Sequence, residues 1–337
     1  MEQSRRIVLA SRPVGEPKDA DFRLETAPVP EPGPGQVLVR TLWLSLDPYM
    51  RGRMSDAKSY AKPVGIGEVM TGGTVGEVVR SNHDKFAPGD VVLGMGGWQD
   101  HAVLDGKELR RLDPAAAPVQ TALGVLGMPG MTAYTGLLTI GQPKAGETVA
   151  VAAATGPVGS LVGQIAKLKG CRAVGIAGGP EKCRALIEEF GFDAAIDHHS
   201  PDFGARLKEA CPKGIDVYFE NVGGAVWDAV FPLLNDFSRI PVCGLVAQYN
   251  MTELPAGPDR TPVLMRAILS KRLLLRGFIV SDFASQHGEF QREVGAWLRD
   301  GKIKYREDVV EGLENAPQAF IGLLQGKNFG KLLIKVS

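Results

Sequence analysis

The sequence has no excess of charge of either sign. Its 337 residues include 38 lysines and arginines and 38 aspartates and glutamates, so the formal net charge at pH 7 is zero. A protein that attracts nucleic acid or an anionic membrane by long-range electrostatics carries a basic excess, and this chain has none. The composition therefore indicates neither nucleic acid nor a membrane as a partner.

Cysteine is scarce, and its four copies are scattered. No two of Cys171, Cys183, Cys211 and Cys243 form a C-x-x-C pair. This spacing argues against a disulfide framework and a structural zinc site, and it suits a reducing compartment. The first fifteen residues contain an apolar run of only four, which is too short for the core of a signal peptide. We therefore expect a cytoplasmic protein.

Long apolar stretches are also missing, apart from residues 148–166. These nineteen residues carry no charge, and that length is enough for a membrane span. However, three glycines and a proline interrupt the run, and its first part has strand character while its second part has helical periodicity. The stretch therefore predicts a strand, a turn and a helix rather than a span.

The turn in this stretch is the most informative motif of the chain. After the apolar strand 148–153, Ala-Thr-Gly-Pro-Val-Gly is a variant of G-x-G-x-x-G with alanine in the first place. Gly156 lets the backbone approach a pyrophosphate, Pro157 suits a first helical turn, and Gly159 lets the helix pack closely on the strand. The helix that begins at Val158 would direct its N–H groups and positive dipole end at the phosphates. The pattern predicts a dinucleotide site, with a purely structural βαβ crossover as the alternative.

The end of the second strand, 172–177, indicates which dinucleotide. An NAD site usually places an acid about 20 residues after the turn, where it binds the ribose 2′-hydroxyl. Here Gly178 and Gly179 clear that space and Lys182 supplies a cation, which suits the 2′-phosphate of NADP(H). The alternative is that Lys182 is a solvated charge in the first turn of the helix predicted at 181–190.

The rest of the chain predicts two domains. Residues up to about 125 form short strands between glycine and proline turns, as in a small irregular barrel. Beyond the glycine turn helices and strands alternate, which indicates a doubly wound parallel sheet. The later elements include a helix at 225–234 and strands at 239–245, 273–280 and 331–336. We expect the last strand to rejoin the first domain and leave the cofactor in the cleft between the domains.

Five strings in the chain carry a family resemblance. They are Ser-Leu-Asp-Pro-Tyr-Met-Arg at 45–51, the turn and helix at 154–169 followed by Gly-Cys, Tyr-Phe-Glu-Asn-Val-Gly-Gly at 218–224, the loop 243–250 ending in Gln-Tyr-Asn, and Asn-Phe-Gly-Lys at 328–331. In this order they resemble the zinc-independent branch of the medium-chain dehydrogenase/reductase superfamily, which holds the prostaglandin/leukotriene reductases, plant double-bond reductases and bacterial curcumin reductases. The resemblance covers nearly the whole chain.

The fold that this resemblance implies is α/β. A Rossmann doubly wound parallel sheet at 127–301 would bind NADP. A β-rich GroES-like partial barrel at 1–126 and 302–337 would form the substrate domain.

No metal is expected. Zinc members of the superfamily carry a cysteine near the end of the first long strand and a Gly-His-Glu string, but this chain has Leu-Asp-Pro-Tyr at 46–49 and Met-Thr-Gly-Gly at 70–73. Of the five histidines only His198 and His199 are close in sequence, and adjacent residues rarely converge on one metal. Lewis-acid chemistry is therefore disfavoured. We expect the other histidines, and His199 with them, in turns or on the surface.

The resemblance also implies contacts to the cofactor. Residues 156–159 would bind the pyrophosphate and Lys182 the 2′-phosphate, while His198 takes the place of a tyrosine at the adenosine phosphate end. The remaining expected contacts are Asn221 at a strand end, the loop from Cys243 and Gly244 to Tyr249 over the ribose and nicotinamide, the backbone of Phe278, Ile279 and Val280 at the carboxamide, and Asn328 at the nicotinamide end. For both asparagines ordinary turn formation is the alternative.

The implied activity is NADPH-dependent reduction of the carbon–carbon double bond of a small α,β-unsaturated ketone or aldehyde. Hydride addition to such a bond moves charge onto the carbonyl oxygen, which then needs a hydrogen-bond donor. Tyr249 is the first candidate donor and Tyr49 the second, although either is alternatively a packed aromatic. A quinone reductase and a non-catalytic NADPH-binding sensor are the other functions considered. Because the apolar run 273–280 would need cover at a sheet edge, we also expect a homodimer joined there, as relatives often form.

Overall fold

The computed structural model describes residues 3–337. The chain divides into two compact units, one made of the residues up to Leu123 together with Glu307–Ser337, the other of Gly124–Arg306. Each unit is built on its own sheet. No helix among residues 3–337 combines the length and the apolar character that crossing a membrane requires.

The helices and strands alternate over most of the second half of the chain. The strands are β1 (Gln3–Leu9), β2 (Phe22–Pro28), β3 (Gln36–Ser45), β4 (Thr74–Ser81), β5 (Val91–Gly94), β6 (His101–Asp105), β7 (Arg110–Arg111), β8 (Thr148–Ala152), β9 (Arg172–Ala177), β10 (Ala194–Asp197), β11 (Ile215–Phe219), β12 (Leu234–Val242), β13 (Leu274–Gly277), β14 (Glu307–Glu311) and β15 (Lys331–Lys335). The α-helices are α1 (Met50–Arg53), α2 (Met128–Thr135), α3 (Pro157–Leu168), α4 (Pro180–Glu188), α5 (Phe203–Ala210), α6 (Gly224–Val230), α7 (Thr261–Lys271), α8 (His287–Arg299) and α9 (Ala316–Leu324).

The first unit is β-rich, as predicted. Its main sheet has the order β14-β15-β3-β4-β5-β7, with β6 also paired to β3, and β1 and β2 form a separate antiparallel pair. The C-terminal strand β15 lies between β14 and β3, parallel to the first and antiparallel to the second. The last strand of the described chain thus belongs to the same unit as the first strands.

The second unit contains a parallel six-stranded sheet with the order β10-β9-β8-β11-β12-β13. Every residue of β8 is buried, because side chains on both faces are covered. Val149 and Val151 pack into one apolar cluster with α3, while the alternate residues Ala150 and Ala152 pack into a second cluster with α5 and α6. This is the predicted doubly wound arrangement, and its strand order reverses between β8 and β11, where ligands of such sheets bind.

Three predicted boundaries were wrong, all around β12 and β13. The helix predicted at 225–234 is correct to within a residue, since α6 continues directly into a 3₁₀ turn at Phe231–Leu233, but β12 begins at Leu234, before the predicted start at 239. Phe237 adopts a left-handed φ of 60° within this strand, and its neighbour Ser238 donates its hydroxyl to the Ile215 carbonyl at 2.7 Å. These tertiary contacts favour a strand here, although the sequence is polar and has no strand pattern of its own.

The strands predicted at 239–245 and 273–280 end earlier than expected. β12 ends at Val242, where a last parallel bridge pairs it with Glu220, and the next N–H, of Gly244, donates to the same Glu220 carbonyl as that of Cys243 instead of continuing the ladder. β13 ends at Gly277, after which the Phe278 ring turns inward against Phe219 with ring centroids 6.2 Å apart.

Candidate active site

The glycine turn links β8 to α3 at the carboxyl edge of the sheet, beside the point where the strand order reverses. Ala153 opens the turn with a left-handed φ of 51°, a conformation that is strained for a residue other than glycine. Gly156 is the N-cap of α3 in an extended conformation, and Pro157 is its first residue. The first helical turn directs its N–H groups out of this edge, where an anion is favoured.

Gly159 is the residue of the turn that tolerates no substitution. A Cβ atom at this position would lie 2.5 Å from the Ala153 carbonyl oxygen and 2.7 Å from the Ala154 Cα, far inside van der Waals contact. The helix therefore approaches the strand as closely as the third glycine of the fingerprint predicts. A larger residue would push the start of α3 away from the turn.

Asn221 bridges the point of strand-order reversal. Its side-chain Nδ2 donates to the Ala152 carbonyl at 2.8 Å, so it ties the end of β11 to the end of β8. This bond was not foreseen, because 69 residues separate the partners in sequence. This bond uses the Nδ2 donor of Asn221. The Oδ1 atom is the side-chain acceptor that would receive a hydrogen bond from a ligand at this edge.

Glu220 is a residue of this edge that the sequence prediction missed. Its side chain is buried, and Oε1 accepts hydrogen bonds from Tyr218 OH, Val222 N and Gly223 N at 3.0, 2.7 and 2.9 Å. Burial raises the pKa of Glu220, while the two backbone donors oppose that rise. The carboxyl group thereby fixes the chain on either side of Asn221. An acid ending an apolar strand just before Asn-Val-Gly-Gly was the available signal.

The loop 243–249 lies against the 220–222 segment. Besides Cys243 and Gly244, Val246 donates to the Asn221 carbonyl at 3.2 Å and Ala247 to the Val222 carbonyl at 3.0 Å. The N–H groups of Cys243 and Gly244 are thus already used within the protein. Burial raises the pKa of Cys243 to about 12, so its thiol stays protonated at neutral pH.

Tyr249 ends the short 3₁₀ turn Val246–Gln248 and is half-buried. Its hydroxyl oxygen would lie 3.1 Å from a Cβ added to Gly244, so the phenol rests on the glycine backbone. A side chain at position 244 would displace this hydroxyl group. The loop that was predicted over the ribose and nicotinamide therefore positions a phenol at the same edge of the sheet as the glycine turn.

The segment 278–280 follows β13 at this edge. Phe278 is buried between Phe219 and Phe283, and the Ile279 carbonyl accepts the Asp282 N–H at 3.0 Å. The side chain of Phe278 is therefore a core residue. Any contact of Phe278 with a ligand would therefore use its backbone groups, as the resemblance implied.

Two imidazoles and a lysine surround the end of β9. A Cβ on Gly178 would lie 3.1 Å from His198 Nε2 and 2.9 Å from His199 Cε1. Lys182 belongs to the first turn of α4, whose N-cap is Gly179 with φ 90°. The structure thus brings together the residues predicted for the 2′-phosphate, and it adds His199, which was expected to be an ordinary surface residue.

These groups fit a dinucleotide phosphate. The turn has a position where even a Cβ atom has no room, the helix start is favourable for an anion, and the end of β9 carries cationic and imidazole side chains. The nearby acid, Asp197, is occupied by the N–H groups of Gly179 and His199, each at 2.9 Å. No cluster of three His, Cys, Asp or Glu side chains suited to a metal ion was found among residues 3–337.

Tyr49 and Asn328, the remaining predicted residues, belong to the first unit. Tyr49 is half-buried with the Arg53 guanidinium 5.5 Å from its ring centroid, and burial followed by the charge of Asp47 raises its pKa. It therefore stays a phenol at neutral pH. Asn328 donates its amide to the Gly330 carbonyl at 2.9 Å, a contact within its own turn.

A buried ion pair supports the turn that carries Tyr49. Lys331 Nζ lies 2.7 Å from Asp47 Oδ1 and donates to the Leu46 carbonyl at 2.8 Å, and Ser45 donates its hydroxyl to the other carboxylate oxygen. Both charged side chains are almost completely buried. Burial lowers the pKa of Lys331, while Asp47 opposes that change. The Asp-Pro-Tyr turn is thus joined to β15, which the sequence did not reveal.

Known proteins resemble this chain over its whole length. Two family models match it, one described as the N-terminal domain of oxidoreductase at residues 5–112 and one as zinc-binding dehydrogenase at 157–298. The NADPH-dependent curcumin reductase of Escherichia coli (strain K12) is 61% identical over 100% of this chain and 98% of its own. The NADP(+)-dependent 2-alkenal reductase of Nicotiana tabacum is 40% identical over 99% and 98%.

A solved structure agrees with the fold. CurA from Vibrio vulnificus in complex with NADPH is 58% identical, covers 99% of both chains and superimposes with a TM-score of 0.96. The chain therefore belongs to the medium-chain dehydrogenase/reductase superfamily, in the branch that includes curcumin reductase, 2-alkenal reductase and prostaglandin reductase 1. The family resemblance and the fold class predicted from the sequence are confirmed.

Proposed function

We propose that this chain is an NADPH-dependent reductase of the carbon–carbon double bond of small α,β-unsaturated ketones or aldehydes. The observation that carries the proposal is the glycine turn at the strand-order reversal, where Gly159 has no space for a Cβ atom. The relatives support it, since their names specify NADPH or NADP(+) with curcumin and 2-alkenals as substrates, and CurA is described with NADPH bound.

The residues that would hold NADPH follow the carboxyl edge of the parallel sheet. The turn at 156–159 would bind the pyrophosphate, and Lys182 with His198 the 2′-phosphate. Towards the nicotinamide we assign Asn221, the 243–249 loop, the backbone of 278–280 and, from the first unit, Asn328. We also propose that residues 127–301 bind NADP and that residues 1–126 with 302–337 form the substrate domain, which limited proteolysis tests. A cytoplasmic location belongs to the same proposal, and cell fractionation tests it.

The chemistry sets what the protein has to supply. NADPH, when bound, supplies the hydride that adds to the β-carbon. Charge then collects on the carbonyl oxygen of the substrate as an enolate, and a proton is added at the α-carbon. A fixed phenol is a suitable donor to that oxygen because it needs no reorganisation as the charge develops. We assign this role to Tyr249, with Tyr49 as the second candidate, and assign no step to a metal.

An NADPH oxidation assay tests the function. We expect turnover of 2-alkenals and enones with NADPH, and much weaker turnover with NADH. Gly159→Val should remove both NADPH binding and activity, because displacing a catalytic geometry by about 1 Å costs roughly 10²-fold. Gly204→Ala is the matched control, since this helical glycine has nothing within 4 Å of its added Cβ. Turnover of quinones alone, or tight NADPH binding without turnover, would contradict the proposal.

We also propose that the chain forms a homodimer through β13 and α7. Within residues 3–337 no strand covers the outer edge of β13, and α7 has no buried residue although it carries several apolar ones. Leu269 is 79% exposed and Leu274 47% exposed, so apolar side chains accompany the uncovered strand edge, and pairing with another chain there would bury them.

Light scattering after size exclusion should give about twice the 36.0 kDa chain mass. Replacing Leu269 and Leu274 together by glutamate should halve that mass, because a charge on the edge opposes sheet pairing. Val14→Glu is the control, since Val14 is equally exposed but belongs to the first unit. A monomer at micromolar concentration in the unsubstituted protein would rule out this interface.

A further inference from the structure

Two adjacent histidines converge on one point at the end of β9. Measured from the Cβ position that Gly178 lacks, His198 Nε2 is 3.1 Å away and His199 Nε2 is 3.4 Å away. The two rings pack edge to face with centroids 4.2 Å apart, and both residues are exposed. A ligand group that reaches this point meets both imidazoles at once.

The backbone of this pair is fixed by bonds between β9 and β10. His198 N donates to the Ala177 carbonyl at 3.0 Å, and Asp197 Oδ1 accepts from Gly179 N and His199 N. These bonds hold the ends of two neighbouring parallel strands together. The imidazoles therefore start from defined positions above Gly178.

The charged groups around the pair come from three elements. Asp197 on β10 lies 3.7 Å from His199 Nδ1. Lys182 on α4 is close enough for its charge to influence the pKa of His198, and Arg206 on α5 lines the same groove as Asp197. Desolvation lowers the pKa of His198, and the positive charges of His199 and Lys182 lower it further against the opposing effect of Asp197. Without a ligand His198 is therefore mainly neutral at pH 7, since an imidazole ordinarily titrates near 6.5.

We propose that His198 and His199 act with Lys182 as a proton-dependent recognition site for the 2′-phosphate, so that the preference for NADPH over NADH depends on pH. This inference rests on the proposed function and adds His199 and the proton dependence to it. A tyrosine at position 198 would donate a hydrogen bond but would not titrate in this range, since a phenol titrates near 10.

The direction of the dependence follows from linkage. A phosphate dianion next to the pair favours the imidazolium form, so NADPH binding raises the histidine pKa and takes up protons near neutral pH. As the pH rises through the raised pKa of the complex this proton is lost, and the NADPH affinity falls to the level that Lys182 supports without it. Below about pH 6 the phosphate monoester itself gains a proton. The preference for NADPH should therefore be greatest between about pH 6 and 7. NADH lacks the 2′-phosphate, so its affinity should not depend on the protonation of the two histidines.

Binding measurements over pH test the proposal. Dissociation constants of NADPH and NADH are measured by calorimetry from pH 5.5 to 9 at constant ionic strength, in buffers of different ionisation enthalpy and without phosphate. The ratio of the NADH to the NADPH constant should fall about threefold to fivefold between pH 6.5 and 8.5, because a one-unit pKa rise changes the affinity by tenfold only over the whole titration. NADPH binding at pH 7 should take up protons and NADH binding none. Adenosine 2′,5′-bisphosphate, which has no nicotinamide, should show the same slope.

Variants separate the imidazoles from the lysine. His198→Gln with His199→Gln should abolish the slope but keep NADPH binding, and His198→Tyr should reduce the slope while retaining affinity at pH 8.5. Lys182→Met should weaken NADPH at every pH and keep the slope. A flat ratio in the unsubstituted protein, or an unchanged slope in the double variant, would overturn the inference. If a protein with a flat ratio still reduced enones with NADPH, the proposed function would stand. Failure to bind NADPH or NADH would overturn both the proposed function and the proton-dependent phosphate site.

Discussion

Replacing Tyr249 by phenylalanine should lower kcat for enone reduction by about 10²-fold, the effect of removing one donor to a developing oxyanion. The structure makes this residue a better candidate than its sequence context alone, because its loop is fixed by bonds from Val246 and Ala247 to the 220–222 segment. The phenol then rests on Gly244 without an intervening side chain. The dissociation constant of NADPH should change by less than about twofold, because the lost interaction belongs to the transition state.

Single-turnover kinetics with a 2-alkenal measure the chemical step directly. Tyr49→Phe is the matched variant, and a larger loss there would transfer the donor role to Tyr49, whose raised pKa keeps it protonated. A change in KM at constant kcat for Tyr249→Phe would assign the residue to substrate binding instead. An unaltered kcat would remove Tyr249 from the mechanism.

Replacing Lys331 by methionine should destabilise the protein by about 3–5 kcal/mol, because it leaves a buried carboxylate without its cation. Asp47 and Lys331 have side-chain exposures of only 7% and 3% and lie 2.7 Å apart. Water therefore cannot take the place of the missing ammonium group without opening the first unit. Urea unfolding, monitored by tryptophan fluorescence, measures the change.

The double variant Lys331→Met with Asp47→Leu is the control. It removes both charges, and apolar replacement of a buried pair is often neutral or stabilising, so it should regain most of the lost stability. Lys335→Met is a second control, since Lys335 forms an exposed pair with Glu311 that contributes little. A loss below about 1 kcal/mol for Lys331→Met would show that the pair is solvated in solution.

The elements that the sequence predicted well are those whose signals are local. Strand β9 was predicted to the residue, and β8 and the start of α3 within one, because apolar runs and Pro157 mark their ends. The prediction failed around β12 because the conformation of this region depends on tertiary contacts. Asn235, which has a turn-forming side chain, donates to Lys213 O and Asp216 Oδ1, and these partners are some twenty residues away.

The residues of the candidate site also fall into two groups, those that local signals mark and those that distant contacts bring together. The glycine turn and Lys182 follow from spacing and residue type, so they were available from the sequence. The bonds from Asn221 to Ala152 and from Lys331 to Asp47 join residues 69 and 284 positions apart, and no local pattern marks them. His199 was expected in a turn or on the surface, and the structure places it exposed in the turn after β10. No local pattern indicates that both imidazoles lie beside Gly178, where the missing side chain leaves room for them.

The place of β15 in the first sheet has a consequence for how the protein is made. This strand separates β14 from β3 and carries Lys331, which is translated 284 residues after its partner Asp47. The second unit is complete in sequence by Arg306, so it is able to fold while the chain is still attached to the ribosome. The first unit, although its synthesis starts first, cannot complete its sheet until the second unit has been synthesised, and only then does Asp47 receive its counter-ion.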